Sequence, residues 1–453
     1  MVALPAGAAR ETRKPLALAA PETEAVHNDP ASGGGLTLQQ AIDLAFERNP
    51  SLQAAAERYG EAQAQVEQSV AAFYPRLSAR VAYNYTDNPG EAFYYIVSQR
   101  RFAPGDINRI NDPGWVENFR PEVFGVWSLF RGGQDFYKRK AAELGVEQAE
   151  LEQSALHNHL AAAVTSAYYA LALAPRQVEV AQHSLTAVTS ELLQARARHA
   201  EGVGLKSDVL SLEVRLAEAR ESEVQALNAV ELARSGLMTL LGGNDGKPVA
   251  IVATGGPEPA TGVADLPKVL EEAHARRPEL QAADRLVQMR QHELQAERGA
   301  HLPRVNAYAA YGQNLRAPGF STAKQNTSIG ISAELDLFTG GETTAKVSAA
   351  ERRVAEAEAQ REENRLQIEK EVRDAHTRIR DAIERLKVTR AAVAAAEEAL
   401  RLVHEQYRGG SATVTRYLEA EADRAGAQAR ALAARYQAYV TEANLKKAAG
   451  YWR

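Results

Sequence analysis

From Thr37 onward the chain switches between two hydrophobic periods. Leu38, Ala41, Ile42, Ala45 and Phe46 recur at helical spacing. Thr37 stands at the N-cap position, and Gln40 three residues on completes a capping box. Pro50 stops that helix, and a second is predicted over residues 51–73. After Pro75 the period falls to two. Leu77, Ala79, Val81, Tyr83 and Tyr85 alternate with Ser78, Arg80, Ala82 and Asn84, which predicts a half-buried strand. A loop rich in Asn, Asp, Gly and Pro is expected from Thr86 to about Pro121, and its placement in a barrel would be extracellular. A second strand then carries Val123, Gly125, Trp127 and Leu129 on one face. Gly132 and Gly133 close the hairpin, and a very long helix follows over residues 135–200. At about 1.5 Å per residue it would be roughly 100 Å long. Pro175 is its obvious breaker and is expected to kink it. A glycine-containing turn at Glu201, Gly202, Val203 and Gly204 leads into a returning helix that ends at Gly242.

The pattern then repeats. Pro50, Leu52, Gln53, Ala54, Ala55, Pro75, Arg76 and Tyr83 match Pro278, Leu280, Gln281, Ala282, Ala283, Pro303, Arg304 and Tyr311 at an offset of 228. Leu129, Phe130, Gly132, Gly133, Gly202, Leu210 and Gly242 match Leu337, Phe338, Gly340, Gly341, Gly410, Leu418 and Gly450 at an offset of 208. One gap of 20 residues, between Tyr83 and Leu129, reconciles the two. In the second copy Asp265 takes the cap position, and Val305, Ala307, Ala309 and Tyr311 form the apolar face of a strand, with Asn306 opposite. Ile329, Ile331, Ala333, Leu335 and Leu337 alternate with Ser328, Gly330, Ser332, Glu334 and Asp336. A long helix over 343–407, a turn at Gly409, Gly410 and Ser411, and a returning helix complete it. The expected organisation is a flexible leader over 1–35, a first structural repeat over 36–242, a linker over 243–264 and a second repeat over 265–450. Arg10 to Lys14, followed by Leu16 to Ala20, has the charge order of a signal peptide but only a short apolar run.

Composition narrows the class. The net charge of −5 gives no case for a nucleic-acid partner. The chain has no cysteine, which excludes disulfides, thiolate metal sites and a lipid-modified N-terminal Cys. No apolar run is long enough for a transmembrane helix. Abundant alanine, as at Ala391, Ala392, Ala394, Ala395 and Ala399, suits close antiparallel helix packing. Enzyme readings find little support. Gly242 to Pro248 is only faintly like a phosphate loop, because it lacks the Ser/Thr and Pro248 follows Lys247. His157 and His159 lie about 200° apart around a helix and cannot share a metal.

Four strands with one apolar face cannot close a barrel alone, and transmembrane barrels have at least about 8 strands. Open edges are not tolerated in lipid. Several copies must therefore combine, with the polar strand face lining a pore. On the residues alone, a soluble coiled-coil structural protein or a periplasmic adaptor remains an alternative.

The LTLQQAIDLAFERNP opening, the two P-x-L-Q-A-A stretches, the paired L-F-x-G-G closures and the GVGLKSDVL and GGSATVTRYL turns resemble the TolC-like outer membrane efflux proteins over about residues 36–450. The resemblance implies a mostly α-helical chain with a membrane β-barrel portion, in a homotrimer. Long antiparallel helical hairpins would form a tunnel across the periplasm, and four strands per chain would build a 12-stranded barrel in the outer membrane of a Gram-negative bacterium. The implied function is the exit duct of a tripartite efflux or type I secretion system, with an inner-membrane transporter and a periplasmic adaptor protein as partners and no cofactor. It places adaptor docking at Gly202, Val203, Gly204, Leu205, Ser207, Gly410, Ser411 and Thr413, and a gate tyrosine at Tyr407, which could equally be a packed coiled-coil aromatic. Of the family's two acidic aperture positions, Glu419 keeps its charge and Arg416 reverses it, while Asp208 stands at the equivalent place in the first copy. A salt bridge between Asp208 and Arg416 is expected across neighbouring hairpins, with Lys206 and Glu419 close by. Leu77, Val81, Val305, Ile329, Ile331 and Leu335 are expected to face lipid. Ser78, Arg80, Asn306, Ser332 and Glu334 are expected to face the pore, and Tyr83, Tyr85, Trp127 and Tyr311 to sit at the membrane interfaces.

Overall fold

The computed structural model describes residues 35–243, 250–252 and 262–452. The leader expected over 1–35 falls outside these except for Gly35, as does much of the expected linker and the Asn244-to-Pro248 part of the phosphate-loop-like stretch.

Helix α1 (Leu38–Arg48) starts at the Thr37–Gln40 capping box, and both reciprocal hydrogen bonds form. Asn49 ends it and at once caps α2 (Pro50–Val70), with Pro50 at the first turn where its missing N–H costs nothing. A 3₁₀ turn (Ala71–Phe73) leads into β1 (Arg76–Thr86). The expected loop is largely ordered instead. It holds α3 (Pro89–Ser98), a 3₁₀ segment (Pro104–Arg109) and the first part of β2 (Val116–Arg131). Pro121 lies inside β2 rather than before it. It pairs with Val81 of β1 but falls in a break on the β3 side, where a strand tolerates proline. Gln99 pins this region. Its buried amide donates to the Glu117 carbonyl at 2.7 Å and to Asn118 at 3.1 Å, and Asn118 donates to Asn314 at 2.9 Å.

Next come α4 (Gln134–Ala200) and α5 (Lys206–Leu240), 67 and 35 residues long. The second set repeats the first: α6 (Leu266–Arg276), α7 (Pro278–Arg298), β3 (Arg304–Gln313), β4 (Gln325–Glu334), α8 (Glu342–Arg408) and α9 (Val414–Ala448). Helices α8 and α9 again have 67 and 35 residues. Helix α4 continues through Pro175 as one element. Strand β4 stops at Glu334, so Leu335 and Leu337 lie beyond the strand that the alternation assigned them to. The last pair in its ladder is Arg304 with Glu334, and Pro303 ends β3 there, so nothing remains for Leu335 to bond.

The four strands form one antiparallel sheet in the order β1-β2-β3-β4. Each long helix is backed by two shorter ones: α4 by α2 and α5, α8 by α7 and α9. The largest core sits where these meet. Ile42, Ala45, Leu52, Leu160, Val164, Tyr168, Leu237 and Leu241 pack together there. Part of the linker joins them. Ala250 to Val252 run beside Leu36, and the Tyr168 hydroxyl donates to the carbonyls of Leu36 and Val252 at 3.1 and 3.2 Å. The second core, at the matching place, is Val269, Ala273, Ile368, Val372, Ala375 and Ala448.

Helix α4 also packs on α7 and α9, which ties the repeats together. Polar contacts support that seam. The buried Arg277 guanidinium reaches Glu279 at 2.9 Å and Glu371 at 3.0 Å, and His159 of α4 meets Glu279 at 3.3 Å. Burial alone would raise the Glu279 carboxyl, but His159 and Arg277 outweigh it and hold it at about 2. Its folded value lies below its unfolded one. Glu279 therefore stabilises the fold fully above about pH 4.5 and loses that contribution as pH falls through about 2. Glu279→Gln is expected to cost about 1–3 kcal/mol at pH 7. Thermal unfolding measured against pH should show the gap from wild type closing between about pH 5 and pH 2.

Candidate functional site: a two-faced sheet and a helical tip

The register sorts the strand residues onto two faces. Leu77 lies opposite Gly125, Ala79 opposite Val123, Val123 opposite Tyr311, Trp127 opposite Ala307 and Ala307 opposite Ile331. The expected lipid-facing residues Leu77, Val81, Val305, Ile329 and Ile331 thus share one face, and Leu335 follows just past the strand end. A bulge at Leu129 lets Phe130, not Leu129, pair with Val305, so the apolar face of β2 ends Val123, Gly125, Trp127, Phe130. The other face carries Ser78, Arg80, Asn84, Asn118, Arg120, Glu122, Asn306, Ser332 and Glu334. Here Glu122, nearly buried, takes Arg80 and Arg120 together, the latter at 2.7 Å. Apolar or aromatic residues also stand on this polar face, Phe124, Val126 and Tyr308 among them, and these escaped the sequence reading. In the second half of β2, after Glu122, Phe124 and Val126 make both sides apolar and weaken the alternation there.

The aromatics expected at the interfaces form two tiers. Tyr85 stacks on Trp115 at 4.6 Å near the loop end, and Tyr83 and Tyr311 lie on the same side. Trp127 lies near the helix end, where its indole N–H donates to the Phe73 carbonyl at 3.0 Å. From Glu117, opposite Tyr85, to Trp127 the strand spans roughly 33 Å at about 3.3 Å per residue. A tilt of about 40° reduces this to a height of about 25 Å, the apolar band of a membrane barrel.

At the far end, both long helices stop by the same device. Gly202 and Gly410 take the left-handed conformation, φ +80° and +77°. Val203 N–H then donates to the Arg198 carbonyl and Ser411 N–H to that of Gln406, both at 2.9 Å. These bonds close a helix end and turn the chain back. Val203 and Leu205 are left exposed, at 76% and 67%. Ser207 sits in the first turn of α5 and Thr413 caps α9 by accepting from Arg416 N–H at 3.3 Å.

Tyr407 is half-buried. It stacks on Tyr417 with centroids 5.5 Å apart, and the Arg198 guanidinium lies 5.6 Å from its ring. It packs beside Leu192, Leu212 and Val414. Within one chain it is therefore a packed aromatic that bridges the two hairpins. Burial pushes its hydroxyl up, and likewise that of Tyr417. The expected Asp208–Arg416 pair does not form inside the chain. Arg416 instead pairs with Glu419 at 3.2 Å, three residues along its own helix, which a local geometry always favours. Two buried carboxylates behind the tip were not expected. Glu421 pairs with Arg424 at 2.6 Å, and Glu191 lies 3.5 Å from His404. Glu421 shares a helical face with Val414 and Tyr417, a charge on an apolar stripe that the sequence does display. His157 and His159 part company as expected: His157 meets Phe46 edge-on at 4.8 Å and burial lowers its imidazole, while His159 faces Glu279.

Comparison with known proteins resolves what a sheet and tip of this kind belong to. The family model for outer membrane efflux proteins matches residues 41–243 and 269–451. The chain belongs to this family. Relatives include protein CyaE of Bordetella pertussis, 26% identical over 77% of this chain and 70% of that protein, and outer membrane protein TolC of Vibrio cholerae, 24% identical over 70% and 75%. Among solved structures, a membrane protein from Pseudomonas aeruginosa superposes with a TM-score of 0.81 at 23% identity, covering 91% of this chain and 92% of its own. The Campylobacter jejuni CmeC outer membrane channel gives 0.79 at 16% identity, covering 91% and 85%. The fold is that of a TolC-like channel, helical tunnel and barrel portion together. This efflux protein acts in the outer membrane, with its helices extending into the periplasm, as an exit duct of the tripartite type. The soluble coiled-coil alternative is thereby set aside.

The tip offers a direct test of its geometry. A Cβ added to Gly202 meets nothing within 4 Å, so Gly202→Ala should cost only backbone strain, about 1–2 kcal/mol. At Gly204 the same atom would lie 2.9 Å from the His199 backbone nitrogen, so the turn itself must move. Hydrogen exchange should show the Val203 amide opening roughly tenfold faster in Gly202→Ala, and faster still in Gly204→Ala.

Proposed function

We propose that three copies of this chain close one barrel, and that the joined hairpins form a single duct from periplasm to exterior. One observation carries the reading: each of the four strands turns a largely apolar side to the same face of the sheet, while β1 and β4 each keep an unpaired edge. Such a sheet is satisfied in lipid only when closed. Leu77, Val81, Val305, Ile329, Ile331 and Leu335 then face lipid, and the Arg80–Glu122–Arg120 group lines the pore. Tyr83, Tyr85, Trp127 and Tyr311 mark the two membrane interfaces. A periplasmic adaptor docks at the tip, on Gly202, Val203, Gly204, Leu205 and Ser207 and on Gly410, Ser411 and Thr413. The exposed Val203 and Leu205 supply the apolar contact. Tyr407, Asp208, Arg416 and Glu419 form the aperture, where Asp208 is free to meet a cation of an adjoining copy. An inner-membrane transporter feeds the duct. The relatives span both named uses, since one is an alkaline protease secretion protein and another an outer membrane efflux protein.

Mass measurement in mild detergent should return three chains, and a water-soluble monomer would refute the reading. The cysteine-free chain also permits a clean accessibility scan. Single cysteines at Ser78, Arg80, Ser332 and Glu334 should react with a water-soluble thiol reagent at least tenfold faster than those at Leu77, Val81, Ile329 and Ile331. Equal rates would show that the polar face does not line a pore. Val203→Asp with Leu205→Asp should abolish co-purification of the adaptor while leaving the trimer mass unchanged.

A further inference from the structure

The internal duplication determines how neighbouring copies join. Counterparts in β1 and β3 are 228 residues apart, and counterparts in β2 and β4 are 208 apart. The two hairpins obey these offsets pair for pair. Arg76 opposite Val126 maps onto Arg304 opposite Glu334, Leu77–Gly125 onto Val305–Ala333, and Tyr83–Phe119 onto Tyr311–Thr327. The β2–β3 ladder has no such counterpart inside the chain.

We propose that β4 pairs with β1 of a neighbouring copy in the register prescribed by the β2–β3 ladder; this rests on the trimer reading and refines it. Val123–Tyr311 translates into Ile331 opposite Tyr83 of the neighbour, and Gly125–Ala309 into Ala333 opposite Val81. Val126–Tyr308 becomes Glu334 opposite Arg80, and Trp127–Ala307 becomes Leu335 opposite Ala79. Past the bulge, Phe130–Val305 becomes Phe338 opposite Leu77, with Leu337 as the extra residue. Pairing thus lengthens β4 from Glu334 to Phe338.

Three independent features of the single chain fit this junction. First, Leu337 and Phe338 are 90% and 89% exposed, whereas their counterparts Leu129 and Phe130, which have β3 beside them, are about half exposed. Second, Gly132 packs so tightly on the 3₁₀ turn before β3 that an added Cβ would lie 1.9 Å from the Gly299 carbonyl oxygen. Its counterpart Gly340, also left-handed, meets nothing within 4 Å. The offset of 228 puts Ala71 of the neighbour, in the equivalent 3₁₀ turn, at that vacant contact. Third, the register is selective. Glu334 and Arg80 are both largely exposed and of opposite sign, and they meet on the polar face. A slip by one residue would turn every β4 side chain to the wrong face. A slip by two would set Glu334 against Ser78 or Ala82 and remove the opposite charge across the junction, leaving Arg80 only Glu122 and Glu334 only Arg304 within their own chains.

The test is disulfide trapping. The register sets Ser332 opposite Ala82 of the neighbour, the counterpart of Phe124–Ala310. Directly opposed Cβ atoms lie about 4.5–5.5 Å apart, close to disulfide geometry, while diagonal ones lie about 7–8 Å apart. The double variant Ser332→Cys with Ala82→Cys should give a covalent trimer on oxidation. Ser332→Cys combined with Arg80→Cys or with Asn84→Cys should link at least tenfold more slowly. Ala333→Cys with Val81→Cys tests the same register from the lipid face, should the first pair fail to assemble. If a diagonal pair links as fast as the opposed pairs while the detergent mass still gives three chains, the register is wrong and the trimer stands. A single-chain mass before oxidation would overturn the trimer itself.

Discussion

Inside a bilayer there is no water to accept a backbone hydrogen bond, so every N–H and C=O in a spanning segment needs a partner from the protein. The sheet of this chain satisfies that demand on three interior ladders and leaves it open at two edges. Much of the rest is arranged around those edges. The strands are long enough to cross the apolar layer when tilted, their outward side chains are apolar, and their polar side is knitted by Arg80, Glu122 and Arg120. None of this is stable as a free four-stranded sheet in water or in lipid. In the proposed trimer, closure by further copies removes the edges and covers Leu337 and Phe338, which are bare in the single chain.

The helical part answers a different constraint. A helix of 67 residues cannot bury its apolar stripe against one partner of 35. The chain lays two shorter helices end to end along it and inserts α1 and the Ala250–Val252 segment at their joint. Small residues in the stripes let these helices approach closely. Across the seam between repeats, His159 of α4 meets Glu279, which Arg277 also holds within the second repeat. Arg277 is buried, and its three hydrogen-bonding partners from α7, α8 and α9 compensate the loss of water. Nothing in this packing calls for a membrane-spanning helix. Among the described residues none is long and apolar enough to be one.

At the tip the same glycine device serves both hairpins, but the surroundings differ. Val203 and Leu205 make the first turn apolar and exposed, whereas Ser411 and Thr413 make the second polar. Tyr407 and Tyr417 stack within the second hairpin, and Arg198 over the Tyr407 ring and Glu191 against His404 link it to the first, with Glu421 buried behind. In the proposed trimer, an aperture made from such unequal halves alternates in character around its rim and offers the proposed adaptor two kinds of groove.

Much of this was legible in the sequence. The Thr37–Gln40 cap, the change of period at Pro75, the turn glycines and the two offsets determined the elements, their order and the outward face, because these depend on local backbone preference and on side-chain periodicity. Tertiary structure decided what depends on a neighbour across space. It ordered the supposed loop after Thr86, because Gln99 finds Glu117 and Asn118 there. It put Phe130 rather than Leu129 on the apolar face of β2, through a bulge in its pairing with β3. It ended β4 at Glu334, because a strand persists only where another strand bonds it. It gave Arg416 to Glu419 rather than to Asp208, since a partner one helical turn away on the same helix is always within reach and one on another hairpin must be brought there by packing.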